Sequence, residues 1–107
     1  MIPIDFNSLD TAVHGPIRLG VLTALQITGP MDFSALKKRL EVTDGSLGMH
    51  LQKLEEIRYI TAKKDFVGRR PRTTYELTSK GKKSLARYLE SMQKLLEAVE
   101  QAQDGRK

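Results

Sequence analysis

The chain has 107 residues, 39% hydrophobic and 29% charged, with 18 Lys and Arg against 13 Asp and Glu for a formal charge of +5, and it has no cysteine. This length suits one small domain with a single core, the whole of 1–107, and excludes a reader domain joined to a separate effector domain; the composition also lies outside that of disordered chains. Without cysteine there are no disulfides, no thiolate chemistry and few routes to structural zinc, while the positive excess draws a protein toward a polyanion.

The opening residues, MIPIDFNSLD, have neither the basic leader nor the apolar run of an export signal. The longest apolar stretch, Ile17 to Ile27, is interrupted by Arg18, Thr23 and Gln26 and falls far short of the roughly 20 residues that span a bilayer. A cytoplasmic protein without a membrane partner is expected. Pro16 suits a first helical turn, and Ile17, Val21, Leu22 and Leu25 recur at helical spacing until Gly29-Pro30 stops the pattern. Leu19 and Ala24 widen the apolar face of this first helix, so it is expected to be covered on two sides.

Met31-Asp32-Phe33 allows a stub of strand, and Ser34 is a candidate cap for a second helix through Leu36 to Leu40. Glu41-Val42 makes a tight connection to Thr43, a cap for a third helix in which Leu47, Leu51 and Leu54 point into the core. Two short helices joined by a three-residue turn form a helix-turn-helix. From Tyr59 to Val67, and again from Thr73 to Leu77, β-forming residues mix with charge, predicting two strands around the tip Gly68-Arg69-Arg70-Pro71-Arg72. Thr78 can cap a last helix of about 79–103, after a core of about 8–78. That helix repeats Leu85, Met92 and Val99 at one heptad position and Tyr88, Leu95 and Ala102 at the next, with Leu89 and Leu96 widening the seam.

The order of elements predicts an α+β winged helix-turn-helix: a three-helix core, a β-hairpin wing and a long C-terminal helix. The stripe Leu85, Tyr88, Leu89, Met92, Leu95, Leu96 and Val99 exceeds what one small core covers, so it is expected to pair two copies into a homodimer, with Leu9, Val13 and the first helix adding to the interface. On the third helix, at about 100° per residue, Gly45, Met49, Gln52 and Lys53 point away from the three leucines, and Ser46 and His50 lie on the border. Taken alone, polar residues there are a solvated face; with the flanking helix-turn-helix and basic hairpin they suit the major groove, where hydroxyl, amide, imidazole and ammonium groups meet base edges or phosphates. Arg69, Arg70 and Arg72 crowd the hairpin tip, with Lys63 and Lys64 on the strand before it. Like charges so close repel one another in the free protein and find partners beside phosphates or in a narrow minor groove.

The stretch from Phe33 to Gly81, through TDGSLGMHLQKLEE, VGRRPRTTY and YELTSKG, resembles the small winged-helix regulators related to the MarR and ArsR families, in particular a short stand-alone type. The resemblance implies a recognition helix at Asp44 to Ile57, a wing at Val67 to Arg72 and a dimer made through the terminal helix. It also implies that Thr43, Ser46, Met49, His50 and Lys53 occupy DNA-facing positions. Two positions depart from the pattern. Ile57-Arg58 stands where a glycine commonly follows the recognition helix, so the helix is expected to end differently; Gly48 replaces a frequent serine and weakens the helix by about 0.5–1 kcal/mol relative to alanine.

No enzyme is expected, because no GxSxG motif or phosphate loop is present. His14 and His50 are the only histidines, without metal-ligand spacing, so neither a metal nor another cofactor is expected, and the cysteine or histidine clusters of ArsR-like metal sensors are missing. Related regulators often bind a small-molecule effector between the helices of the dimer, but no residue here points to its chemistry. The sequence therefore predicts a sequence-specific double-stranded DNA-binding regulator, with repression by occlusion the simplest output. The alternative is a winged helix used as a protein-interaction module, its basic wing meeting an acidic partner.

Overall fold

The computed structural model describes residues 10–104. In chain order these form α1 (Pro16–Thr28), β1 (Met31–Asp32), α2 (Phe33–Leu40), α3 (Asp44–Glu56), β2 (Ile60–Val67), β3 (Arg70–Leu77) and α4 (Ser79–Asp104). The strands make one antiparallel sheet in the order β1-β3-β2. Leu9 and the first residues of the expected 8–78 core lie outside the described residues.

Helix boundaries follow from local chemistry. Pro16 begins α1, and α2 is capped by Asp32, whose Oδ1 accepts from the Ala35 N–H at 2.8 Å. Ser34, the expected cap, already lies inside that helix, because Asp32 holds the extended backbone a cap requires (φ −81°, ψ 171°). Thr43 caps α3 as expected, accepting from the Ser46 N–H at 3.2 Å. The three-residue connection is closed by Glu41 at φ 53° and by a Lys37 to Asp44 ion pair of 2.8 Å.

The end of α3 corrects the sequence reading. The Tyr59 N–H donates to the Leu54 carbonyl at 2.9 Å and the Arg58 N–H to the Glu55 carbonyl at 3.0 Å, the paired bonds of a Schellman turn. Arg58 takes the left-handed position at φ 66°. The turn is thus the one glycine usually serves, with an arginine bearing the Cβ strain.

One core joins every layer. Leu22, Leu36, Leu47 and Leu54 are fully buried, together with Val13, Val21, Leu51 and Ile60. Leu85 and Tyr88, expected in the dimer seam, are instead 2% and 3% exposed within the protomer and belong to this core, as does Val13. The first turns of α4 lie against α1, so these positions are covered before any second copy arrives. Tyr88 Oη also meets His14 Nδ1 at 2.8 Å, and the Tyr59 hydroxyl donates to the Asp10 carboxylate, tying the segment before α1 to the body.

The approach of α4 is close. The Thr78 hydroxyl accepts from the Gly81 N–H at 2.9 Å and lies 2.7 and 3.0 Å from the Arg58 and Tyr59 carbonyls. A Cβ on Gly81 would sit 2.1 Å from the Tyr59 carbonyl oxygen. Only glycine lets this helix start against the α3–β2 turn.

Candidate nucleic-acid interface

Three leucines anchor α3: Leu47, Leu51 and Leu54 are buried at 0%, 1% and 0%. They fix the rotation of the helix, which leaves Met49, Gln52 and Lys53 exposed and Ser46 and His50 half-buried on the border. Thr43 is exposed at the start of the helix with its hydroxyl oxygen occupied as the cap. Glu56 shares the outward side near the C-terminal end, so the cationic and neutral polar groups concentrate in the first three turns. An anion is also best placed near a helix N-terminus, where backbone N–H groups are unpaired.

His50 is held below its ordinary value of 6.5, first by burial and then by the positive charges of Arg18 and Lys53. Arg18, on α1, did not stand out in the sequence except as an interruption of an apolar run. Its Nε is buried and has no hydrogen-bond partner among the described residues. Its positive charge acts on His50 from across the α1–α3 packing and adds to the positive potential at the border of α3. A lone arginine within an apolar helix was the available signal.

The wing differs from the expected five-residue tip. Val67 pairs with Arg70, so the turn is only Gly68-Arg69, and Arg70, Pro71 and Arg72 belong to β3. Gly68 at φ 64°, followed by a residue without positive φ, matches the type II′ turn that suits the twist of a hairpin. Val67 and Arg70 close the turn with their backbone bonds, which makes Phe66 and Pro71 the next, non-hydrogen-bonded pair. The missing N–H of Pro71 therefore points outward, beyond the reach of β1, whose pairing with β3 ends at Thr74.

The arginines of the wing divide into two kinds. Arg72 faces Asp65 across the strands and grips its carboxylate with Nε at 3.1 Å and Nη2 at 2.9 Å. That pair lowers the Asp65 carboxyl and raises the Arg72 guanidinium from their ordinary values, by hydrogen bonding first. Arg72, expected as a DNA contact, is thus engaged in bracing the hairpin. The side chains of Arg69 and Arg70 are exposed and have no ion-pair or hydrogen-bond partner among the described residues, and Lys63 and Lys64 are exposed behind them.

On α4 the part of the expected stripe that stays uncovered is Leu89 (47% exposed), Met92 (36%), Leu96 (51%) and Val99 (50%), with Leu95 half-buried beside them. Their spacing of three, four and three residues is that of a coiled-coil seam. No group of three or more His, Cys, Asp or Glu side chains able to hold a metal ion occurs among the described residues. None of the described helices is long and apolar enough to cross a membrane.

Comparison with known proteins agrees with the fold. The model of the winged helix DNA-binding domain family matches residues 17–96. An uncharacterized protein of Methanocaldococcus jannaschii is 32% identical over 84 residues, covering 78% of this chain and 91% of its own. The solved transcriptional regulator homologue of Pyrococcus horikoshii superposes with a TM-score of 0.79 at 28% identity, over 87% of this chain and 93% of that one. A MarR-family regulator structure from Enterococcus faecalis shares the fold at a TM-score of 0.71 and 21% identity, over 97% and 96% of the two chains. The chain belongs to the winged helix DNA-binding domain family.

Proposed function

We propose that this protein is a homodimeric transcriptional regulator of the cytoplasm that binds double-stranded DNA sequence-specifically and catalyses no reaction. In this reading α3 enters the major groove, with Ser46, Met49, His50, Gln52 and Lys53 toward base edges, while Arg69 and Arg70 hold the backbone or minor groove. The α4 seam of Leu89, Met92, Leu96 and Val99 pairs two copies, and bound dimers repress by occlusion. The observation that carries the proposal is the pairing of an outward polar face on α3, locked by Leu47, Leu51 and Leu54, with a wing whose tip presents two unpaired arginines. The likeness to the Pyrococcus regulator homologue supports it.

Selection of bound sites from a pool of random duplexes tests it. A dimer sets its two reading helices about 34 Å apart, one duplex turn, so the recovered sites form an inverted repeat. Lys53→Ala and His50→Ala then change the preferred base in both halves together, each by about 1–3 kcal/mol of discrimination at that base pair. Sites without symmetry, or variants that keep the wild-type consensus and lose only overall affinity, would contradict α3 as the reader.

A further inference from the structure

The wing ends in apolar side chains that the other described residues leave largely uncovered. Phe66 is 72% exposed and Val67 53%, whereas Ile60 and Leu77, paired at the other end of the same hairpin, are buried. A single exposed apolar residue needs no explanation. Here two lie just before the turn at Gly68-Arg69, with Arg70 the first residue of β3 after it, and Lys64 lies two residues from Phe66 on the same face of β2.

The position of Phe66 is also stiff. It stands directly opposite Pro71 in the non-hydrogen-bonded pair, where side chains approach most closely. One step further from the tip, the Asp65 to Arg72 pair clamps the strands, and Gly68 sets the turn beyond. An aromatic ring is therefore held at the end of a braced, two-stranded finger whose free charges toward the tip, Lys63, Lys64, Arg69 and Arg70, are positive. Those cations match a polyanion, and guanidinium groups are drawn in particular to the strong negative potential of a narrow minor groove. Apolar side chains presented in a minor groove can enter between base pairs, partly unstacking them and kinking the duplex toward the major groove.

We infer that Phe66 is such a wedge: with Arg69 and Arg70 on the minor groove, its ring enters a base step flanking the sequence read by α3 and bends the DNA there. This rests on the DNA reading above and adds a second source of specificity. Pyrimidine–purine steps open most readily, so the wedge favours them at positions where α3 makes no contact.

The test uses the full chain and short duplexes recovered by wild-type selection, with 2-aminopurine placed at successive purine positions of each flank and the bend read by circular-permutation gel shift. Wild-type protein raises the fluorescence at one step in each flank and bends the duplex. Phe66→Ala abolishes both signals and weakens binding by about tenfold, with the salt dependence unchanged because no charge is removed. Phe66→Met keeps an apolar wedge and restores the bend in part. Because the ring is exposed, both variants keep the wild-type circular dichroism spectrum. A wild-type complex with no fluorescence rise at any flank position, or a Phe66→Ala complex as bent as wild type, overturns the wedge and leaves the DNA reading standing. Failure of the wild-type protein to bind any duplex overturns both.

Discussion

Replacing Gly81 with alanine adds one methyl group to a helix, a change that by propensity alone stabilises by about 0.5–1 kcal/mol. The structure reverses that sign. The new Cβ would lie 2.1 Å from the Tyr59 carbonyl oxygen and 2.9 Å from Leu77 Cδ1, whereas a comfortable carbon to oxygen contact is about 3.3 Å or more. The start of α4 must therefore retreat by about 1 Å, stretching the Thr78 N–H bond to Tyr59, now 3.0 Å. Overpacking costs about 1–3 kcal/mol and the weakened Thr78 hydrogen bond about 1 kcal/mol, so after the helix-propensity gain of about 0.5–1 kcal/mol is subtracted the net loss is about 1–3.5 kcal/mol. At about 4–8 °C per kcal/mol for a domain of this size, the Tm falls by roughly 4–28 °C. The control is Gly48→Ala on α3, where nothing lies within 4 Å of the added Cβ and a gain of about 0.5–1 kcal/mol is expected. Thermal melts followed by circular dichroism at one fixed protein concentration compare the two, since association shifts the midpoint. Equal gains in both variants would refute the close approach of α4 to the α3–β2 turn.

The other predictions concern assembly and pH. Wild-type protein is expected to be a dimer by light scattering at micromolar concentration, and Leu96→Glu or Met92→Glu, by placing a charge in the uncovered α4 seam, is expected to give a monomer; a wild-type monomer would contradict the proposed seam. Burial, Arg18 and Lys53 hold His50 below 6.5 in the fold, so the unfolded chain binds its proton first as pH falls. Its contribution to stability is thus present above 6.5 and is lost as pH drops through the lowered value. Phosphates act oppositely on the same ring by favouring imidazolium, so duplex binding tightens below neutral pH, by at most about tenfold per pH unit for each histidine. Fluorescence anisotropy titrations of His50→Gln give a flatter profile, and a profile identical to wild type would remove His50 from the interface.

What the sequence could reveal divides along physical lines. Helices α1 and α3 were legible because their stop and start signals, Pro16, Gly29-Pro30 and Thr43, coincide with leucine spacing. The tip of the wing was not, since Gly68-Arg69-Arg70-Pro71-Arg72 is compatible with a long loop until the register fixes Val67 against Arg70. The same register pairs Arg72 with Asp65, seven residues away, which a count of basic residues cannot anticipate. The stripe on α4 was visible, but its periodicity is the same whether a neighbour is α1 or a second copy; Leu85 and Tyr88 went to the protomer and Leu89, Met92, Leu96 and Val99 did not. Arg18 was hidden because its significance is the effect of its charge on His50, on a different helix.

Central to the account is that the wing meets DNA through unpaired charge while α3 reads the sequence. The most direct measurement is the slope of log affinity against log salt for the selected duplex, for wild type and for Arg69→Ala with Arg70→Ala. Each phosphate contact contributes about one unit of slope, so a dimer that loses two arginines from each wing should show a slope shallower by up to about four units. Its affinity should fall by a similar factor on every duplex, with the consensus unchanged. A double variant with wild-type slope and affinity would place both arginines in solvent and contradict the wing as a DNA-binding element.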